Sequence, residues 1–596
     1  MAGDAAVYDP AILVSSHLAA TPRQPETGSP GMAPRFPADE NPPSWLDRNF
    51  SRLLLAIAVA GLIPRLVFGN SQFISFDGWW HLFTATQDRW LMFLREWRWE
   101  AHPPLFYLLL RFVAGFGHSH LIIRSIGIVC GSVAGVIIGV VAAKVYRYKA
   151  SALLTSAAYT FAWSNIEMNC DVRAYPMALL FVLLAFDACL DWTADPAGAR
   201  AGRAIVRFGA YSSLAILSEY FVVFFLAGCL GILVLRVLLR PAFRVAFLNS
   251  IRRDWKAWVF SSASISVLFL ALFVFQMSIV KPQDQYYLQP YIWHDDSLWG
   301  ADVFLLSNLV KEIGYFTPFN IGPGLMLALA GLLFVPALIY FAFVRRERWR
   351  GLLSADSPLL LAGLLAQLVV LALAGEYPFG GPFRHQSIIA PFVFLTAFLL
   401  LDRLADALKA FLARNALFTT AGLLVTASFA FGWAVYPWSS VQPKSAEYSR
   451  FRELFPRPEN IYVGHIAAIC YYAETHTSKW TFQDRFLIDN QQITFYRVND
   501  GNGHPVGILR NKAQTWLDLL DPETYRILAE TLRHEGLESA VLFSVDRGWD
   551  TAGAKSLEEQ SRTLAQLAGL EGGRYAVGPT YAFVEFRLRD EAVIPR

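Results

Sequence analysis

Cysteine, charge and repetition are all scarce in this chain of 596 residues, and each shortage excludes something. Of five cysteines, Cys130, Cys189 and Cys229 lie inside apolar runs and Cys170 at the edge of one. Only Cys470 lies in the C-terminal region, which therefore cannot hold an internal disulfide. Charged residues are 17% of the chain against 55% hydrophobic, too apolar a balance for one soluble globule of this length. A net charge of +3 gives no footprint for nucleic acid, and none is expected as a partner. No sequence repeat relates two halves, unlike the repeats from which many transporters are built. No Cys/His spacing suits a closed zinc site, and no glycine-rich stretch has phosphate-loop spacing. Residues 1–45 are polar and Pro-rich rather than basic and then apolar, so no cleavable signal peptide is expected.

What the chain does have is long uncharged runs. They fall near 53–69, 121–145, 151–168, 174–192, 204–218, 220–239, 257–279, 321–344, 357–375, 386–401 and 415–437. At roughly 20 residues per crossing they predict a polytopic α-helical membrane protein with about eleven transmembrane helices. The apolar stretch 104–117 is left out of that count. It opens on Pro103-Pro104 and is too short to cross, so it is expected to lie along the interface. Basic residues support that choice. With 104–117 lying flat, Lys144, Arg147 and Lys149, then Arg200, Arg203 and Arg207, then Arg236 to Lys256, Arg345 to Arg350, and Arg403 to Arg414 all fall on one side. The positive-inside rule makes that side cytoplasmic, together with the N-terminus.

Three regions are expected: a disordered cytoplasmic tail, 1–48; a transmembrane domain, 49–438; and a small extracytoplasmic α/β domain, 439–596. In the last, strands are predicted near 461–463, 539–545 and 581–588, and helices near 513–535 and 556–568.

The chain is organised around residues 70–117, in the first extracytoplasmic loop. This stretch is too charged to span a bilayer, and Trp79, Trp80, Trp90, Trp97 and Trp99 suit interfacial helices at a membrane–water boundary. It carries Asp77, His81, Glu100 and His102. Charges within the spans are few, with Arg65, Arg124 and Asp187 the main ones, all near expected helix ends. Ionisable residues gather instead at the outer ends: Asp171, Arg173 and Tyr175 in one turn, Glu219 and Tyr220 in another, Arg384 and His385 in a third. Groups gathered at one depth, each costly there, mark a candidate site.

In order and topological position these motifs resemble the integral-membrane glycosyltransferases of the C-type fold, in the protein O-mannosyltransferase and aminoarabinose-transferase superfamily that uses polyprenyl-phosphate sugars. Asp77 stands where that family has its catalytic Asp, shortly after the first helix. His102-Pro103-Pro104-Leu105-Phe106-Tyr107 is close to the family's His-Pro-Pro-Leu-Tyr-Tyr. Asp171, Arg173 and Tyr175 fit a carboxylate-x-Arg-x-Tyr pattern, and Arg384-His385 with Pro391 is similar to Arg-Tyr followed by Pro. The resemblance covers roughly residues 50–400 and departs at three points. Gly78 replaces a Glu commonly found after the Asp, Glu219 stands where many bacterial members have His, and His385 replaces a Tyr.

The resemblance implies a cell-membrane transferase that moves a sugar from a polyprenyl-phosphate donor to an acceptor hydroxyl outside the membrane, with inversion. Asp77 would act as general base, and the substrate-binding set would be His81, Glu100, His102, Asp171, Arg173, Tyr175, Glu219, Tyr220, Arg384 and His385. Arg384 and Arg173 suit a phosphate by charge-assisted, bidentate hydrogen bonding. Asp171 either orients Arg173 or ligates a cation. No cofactor is assigned and the metal stays unknown, with a divalent cation left open. Partners are the lipid-linked donor, membrane lipids and an extracytoplasmic acceptor. The alternative from another class is a lipid or sugar transporter, or a flippase, without catalysis.

Overall fold

The computed structural model describes residues 44–71, 74, 76–98, 100, 102–117, 119–278, 291–294, 300–316, 356–408 and 411–439. Beyond these it describes 461–464, 481–488, 493–499, 506–511, 522–544, 551–577 and 582–589. Helix α1, Trp45–Ser71, has 27 residues and is apolar from Leu53 to Gly69 apart from Arg65. It rises about 40 Å, more than the hydrocarbon thickness of a bilayer. Three short helices follow: α2 (Phe76–Ala85), α3 (Trp90–Trp97) and α4 (Pro104–Ala114). Pro104 starts α4, and its 11 residues are too few for a crossing, as expected for 104–117.

The chain then forms α5 (His120–Val145), α6 (Lys149–Phe161), α7 (Trp163–Cys170), α8 (Tyr175–Ala194), α9 (Ala201–Ser218) and α10 (Val222–Leu239). After α11 (Pro241–Arg253), α12 (Trp255–Leu272) runs into a π-helical turn, Phe273–Met277. Next come α13 (Ala301–Phe316), α14 (Asp356–Leu373) and the short α15 (Phe383–Gln386), then α16 (Ala390–Ala407) and α17 (Phe411–Ser439).

Among the described residues eight segments are long and apolar enough to cross a membrane: Trp45–Ser71, His120–Val145, Tyr175–Ala194, Val222–Leu239, Trp255–Met277, Asp356–Leu373, Phe383–Asp406 and Leu412–Ala434. Eleven is therefore not reached, and α9, over the span expected at 204–218, is not among the eight. The span expected over 321–344 and nearly all of the 1–48 tail lie outside the described residues. The span expected over 151–168 is two helices, α6 and α7, broken where Ala162 is extended with ψ 126°. Neither Pro nor Gly marks the break. Long-range contacts hold it, with Trp163 stacked on Phe429 of α17 and its indole N–H donating to the Phe429 carbonyl at 3.4 Å.

One stripe of small residues sets the site's framework. Gly127, Gly131, Gly135 and Gly139 recur every fourth residue on α5, the spacing that lets helices approach backbone to backbone. A Cβ on Gly127 would lie 2.5 Å from the Asn169 carbonyl oxygen, and one on Gly131 would lie 2.1 Å from the Asn169 side chain. Helix α7 is thereby seated directly on α5. Ser156 Oγ donates to the Gly135 carbonyl at 2.6 Å and fixes α6 on the same stripe. At the ends of these helices nearest α2, Arg124 donates to the Gly69 carbonyl and Cys170 Sγ to the Arg65 carbonyl. The ends of α1, α5 and α7 are thus pinned together.

The C-terminal part is α/β, as expected. Strands β1 (Ile461–Gly464), β2 (Thr481–Ile488), β3 (Ile493–Asn499), β4 (Val506–Asn511), β5 (Ser539–Ser544), β6 (Leu570–Val577) and β7 (Ala582–Leu588) accompany α18 (Pro522–Glu535) and α19 (Thr551–Leu567). One sheet has the order β1-β5-β7-β6, parallel only between β1 and β5; the other is the antiparallel meander β2-β3-β4.

Candidate functional site

The turn between α7 and α8 supplies the first half of the site. Pro176 sits in the first turn of α8, where its missing N–H costs nothing, and between Cys170 and Tyr175 the chain turns through Asp171 to Ala174. Asp171 Oδ1 accepts the Val172 N–H at 2.9 Å, and its Oδ2 accepts Arg173 Nε at 3.2 Å. Asp171 therefore orients Arg173, one of the two roles left open for it. So held, Arg173 is only 5% exposed, and its Nη2 donates to Asp77 Oδ2. Asp77 lies in the first turn of α2, where the helix dipole favours a carboxylate.

The second half arrives from far along the chain. Arg384, on α15, reaches Asp77 Oδ2 at 3.4 Å, so one carboxylate faces two guanidinium groups. Burial pushes the Asp77 carboxyl up, but Arg173 and Arg384 more than offset it and hold it well below the usual carboxylate range. Burial lowers Arg173, while Asp77 and Asp171 raise it further, so its charge is permanent. Yet the Asp77 side chain stays 39% exposed and Arg384 30%, so both can be reached from outside the protein.

Behind this triad lies a polar layer. His81, buried, has Nδ1 2.9 Å from the Tyr107 hydroxyl, which also donates to Glu100 Oε2 at 3.3 Å. Burial, then His102 and Arg173, push His81 well below its usual value, so it is a neutral imidazole. Glu100 Oε1 accepts from Thr84 Oγ1 at 2.6 Å and from the Trp80 indole N–H. Glu100 thus ties α2 to α4 and does not reach Asp77. His102 Nδ1 lies 2.7 Å from Glu219 Oε2, and the His102 and His81 rings meet edge to face at 5.1 Å. Tyr175 stacks on Phe221 at 5.9 Å and presents its ring to His102. Tyr220 bonds Gln276, whose amide donates to the Glu100 and His102 carbonyls at 2.8 Å each. His385 Nε2 accepts from Arg384 Nε at 3.3 Å and so stands behind the arginine.

The structure therefore joins Asp77, Asp171, Arg173 and Arg384 directly, with His81 beside them. His102, Glu219, Tyr175 and His385 form a supporting layer; Glu100 and Tyr220 are one contact further out. Sequence reading missed Tyr107 and Gln276 as members. Tyr107 was within reach, since it closes the His102–Tyr107 motif and its hydroxyl is buried, whereas nothing local singles out Gln276. The donor set does not suit a divalent cation. Two guanidinium groups already crowd Asp77, and among the described residues no three His, Cys, Asp or Glu side chains gather in a group that could hold a metal.

No protein-family model matches the chain. No curated protein matches it in sequence. Solved structures do match in fold. ArnT from Cupriavidus metallidurans bound to undecaprenyl phosphate superposes with a TM-score of 0.56 at 11% identity, covering 90% of this chain and 98% of that one. The same protein in its apo state gives 0.54 at 11% identity with the same coverage. The chain thus shares the fold of ArnT, the C-type fold that its motifs led one to expect.

Proposed function

We propose that the protein is a membrane glycosyltransferase that moves a sugar from a polyprenyl-phosphate donor to an acceptor hydroxyl outside the membrane. One observation carries the reading: a reachable carboxylate, Asp77, held between a buried and a half-buried arginine where the first interfacial helix begins. The fold shared with ArnT, which was solved with undecaprenyl phosphate bound, supports a lipid phosphate as the anion those arginines take.

The pairing suggests how binding and chemistry are linked. Asp77 locked to two guanidinium groups is a poor base, because an efficient general base titrates near the working pH. A donor phosphate entering between Arg173 and Arg384 competes for those same N–H groups. It draws them off Asp77 and raises the basicity of the carboxylate when the donor is seated. The acceptor oxygen then attacks the anomeric carbon from the face opposite the phosphate, and its proton passes to Asp77. The bond between the anomeric carbon and the phosphate oxygen breaks, and the lipid phosphate leaves with its negative charge held by the two arginines. A single displacement inverts the anomeric centre. His81 and Tyr107 fix the floor beneath Asp77, and His102 with Glu219 fixes the wall beside Tyr175.

On this reading the chain divides into a tail, 1–48, a catalytic membrane domain, 49–438, and a domain at 439–596 that faces the acceptor side. The protein is multi-pass in the cell membrane with its N-terminus in the cytoplasm. The test is transfer from a panel of synthetic polyprenyl-phosphate sugars by the purified protein, with product anomeric configuration read by NMR. Retention of configuration, or no transfer from any lipid-linked sugar to any lipid, glycan or peptide hydroxyl, refutes it.

A further inference from the structure

Helix α13 takes no part in the site described above, and it grips the loop that delivers Arg384. Asn308, Glu312 and Tyr315 lie four and then three residues apart, on one helical face. Glu312 Oε1 accepts the Gly380 N–H at 3.1 Å, and Tyr315 Oη donates to the Gly381 carbonyl at 2.7 Å. Asn308 is in backbone contact with Gly380: a Cβ there would lie 2.4 Å from the Asn308 Cβ, and Gly380 has φ +73°. A side chain at 380 would be strained by the positive φ and would collide with Asn308. Farther along, Tyr315 and Phe316 meet Phe383, the residue before Arg384, at 5.4 and 5.9 Å. Ser164 of α7 anchors the helix by donating to the Tyr315 carbonyl at 2.7 Å.

Glu312 is an unusual choice for such a contact. It is 2% exposed, and its second oxygen is buried without a hydrogen-bond partner. A buried ionised carboxylate with one unmatched oxygen is costly, and protonation lowers that cost by removing the charge.

We propose that Glu312 is a positioning residue that clasps the Gly380 loop and so holds Arg384 toward Asp77, and that the clasp is tight when the carboxyl is protonated and loosens when it ionises. The proposal rests on the transferase reading for its consequence, but the clasp itself does not need it. Burial pushes the Glu312 carboxyl up to about 8, and only the Gly380 N–H opposes this. The charged groups around it do not replace that control. On its own helix Lys311 is bound to Asn308 Oδ1 at 2.9 Å and rests over Tyr291. Helix α7 offers only Glu167, which is exposed, and α15 offers Arg384, turned to Asp77, and His385 behind it.

The linkage has a definite sign. The clasped state binds the proton more tightly than an opened, solvated one, whose carboxyl has its ordinary value of 4.5. Between about 4.5 and about 8, each unit of rising pH therefore lowers the clasped-to-open ratio up to tenfold; above that it stays flat.

The experiment is amide hydrogen exchange of residues 376–384 in the full-length protein between pH 5 and 9, corrected for the intrinsic rate. Binding of undecaprenyl phosphate is measured across the same range. In the wild type, protection and lipid-phosphate affinity should fall together up to about pH 8. Glu312→Gln, an isostere of the protonated acid, should keep both high and level. Gly380→Ala should lose protection at every pH. Wild-type protection that ignores pH, or a slope that Glu312→Gln leaves intact, overturns the clasp. Protection that responds while lipid-phosphate affinity does not overturns the link to Arg384. Protection and affinity behaving as expected in a protein that transfers no sugar would leave the clasp standing and sink the transferase reading alone.

Discussion

Helix α8 carries a four-membered charge cluster at each end, and the two are built to opposite purposes. At its C-terminal end, Lys144 Nζ lies 2.6 Å from Asp187 and 2.7 Å from Asp191, while Arg207 reaches the same two carboxylates at 2.9 and 3.1 Å. Two cations and two anions close a ring in which each member has two partners. At the N-terminal end, Asp171, Arg173, Asp77 and Arg384 also make two and two, but the ring is open. Arg173 bonds both carboxylates, Arg384 touches only Asp77, at 3.4 Å, and nothing joins Arg384 to Asp171. A closed ring satisfies its own charges and serves as a strut. An open ring leaves Arg384 part-exposed with a single carboxylate partner among the described residues, and an anion can complete it. Counting charges would not separate the two; geometry does.

The sharpest way to break this contrast is to remove the carboxylate from the open ring. Asp77→Asn should cut transfer by ~10²–10⁴-fold, the usual contribution of a general base. Donor affinity should hold or rise, because the arginines lose a competitor. Transfer and binding assayed on one purified sample decide it, and near-normal turnover would take Asp77 out of the chemistry. Next in size is Arg384→Ala. Losing charged hydrogen bonds of about 1.5–3 kcal/mol predicts donor binding weaker by roughly 10–100-fold. Arg384→Lys should recover only part of that, since an ammonium lacks the planar fork; full recovery by Lys would mean that charge alone suffices. The closed ring should answer differently. Its members are about a third exposed except Asp187, so Lys144→Met should cost only ~1 kcal/mol of stability after solvent screening. A modestly lower melting temperature with unchanged turnover per folded molecule is expected, and a catalytic defect would show that the closed ring is no mere strut. Smallest in effect is labelling: single cysteines at Leu567 and at Arg244 should leave activity intact. An impermeant thiol reagent should reach the first in sealed, right-side-out cells and the second only after permeabilisation. Reaction of both from one side would invalidate the proposed topology.

Much of the open ring was legible because it is written in short, local spellings. Asp171-x-Arg173-x-Tyr175 followed by Pro176 places a carboxylate and an arginine in one turn, and Asp77 comes at the first polar opening after an apolar run. The other parts depend on contacts between distant segments. Glu312 and Gly380 are 68 residues apart, and no periodicity in Ala301–Phe316 singles out a carboxyl that will be buried. The break at Ala162 follows from Trp163 stacking on Phe429, which no window around residue 162 contains. The glycine stripe on α5 could have been read, since a four-residue period of Gly in an apolar run is itself a close-approach signal. In the C-terminal part, β2 hid behind the charged pair Asp484-Arg485 at its register shift, and β6 behind Gly572-Gly573 at its own.

The glycine stripe also sets an order of events during synthesis. It joins α5, α6 and α7 through neighbours in the chain, so the turn bearing Asp171 and Arg173 can take shape as soon as those helices are inserted. Asp77 has been made by then. Arg384 lies roughly two hundred residues downstream of Arg173. At about 5–20 residues per second the nascent chain holds its carboxylate–arginine pair for ten seconds or more before the second arginine exists. Through that interval Asp77 has a single cation for company. On the proposed reading, the membrane domain is thus born with its anion site half made, and the loop that carries Arg384 completes it.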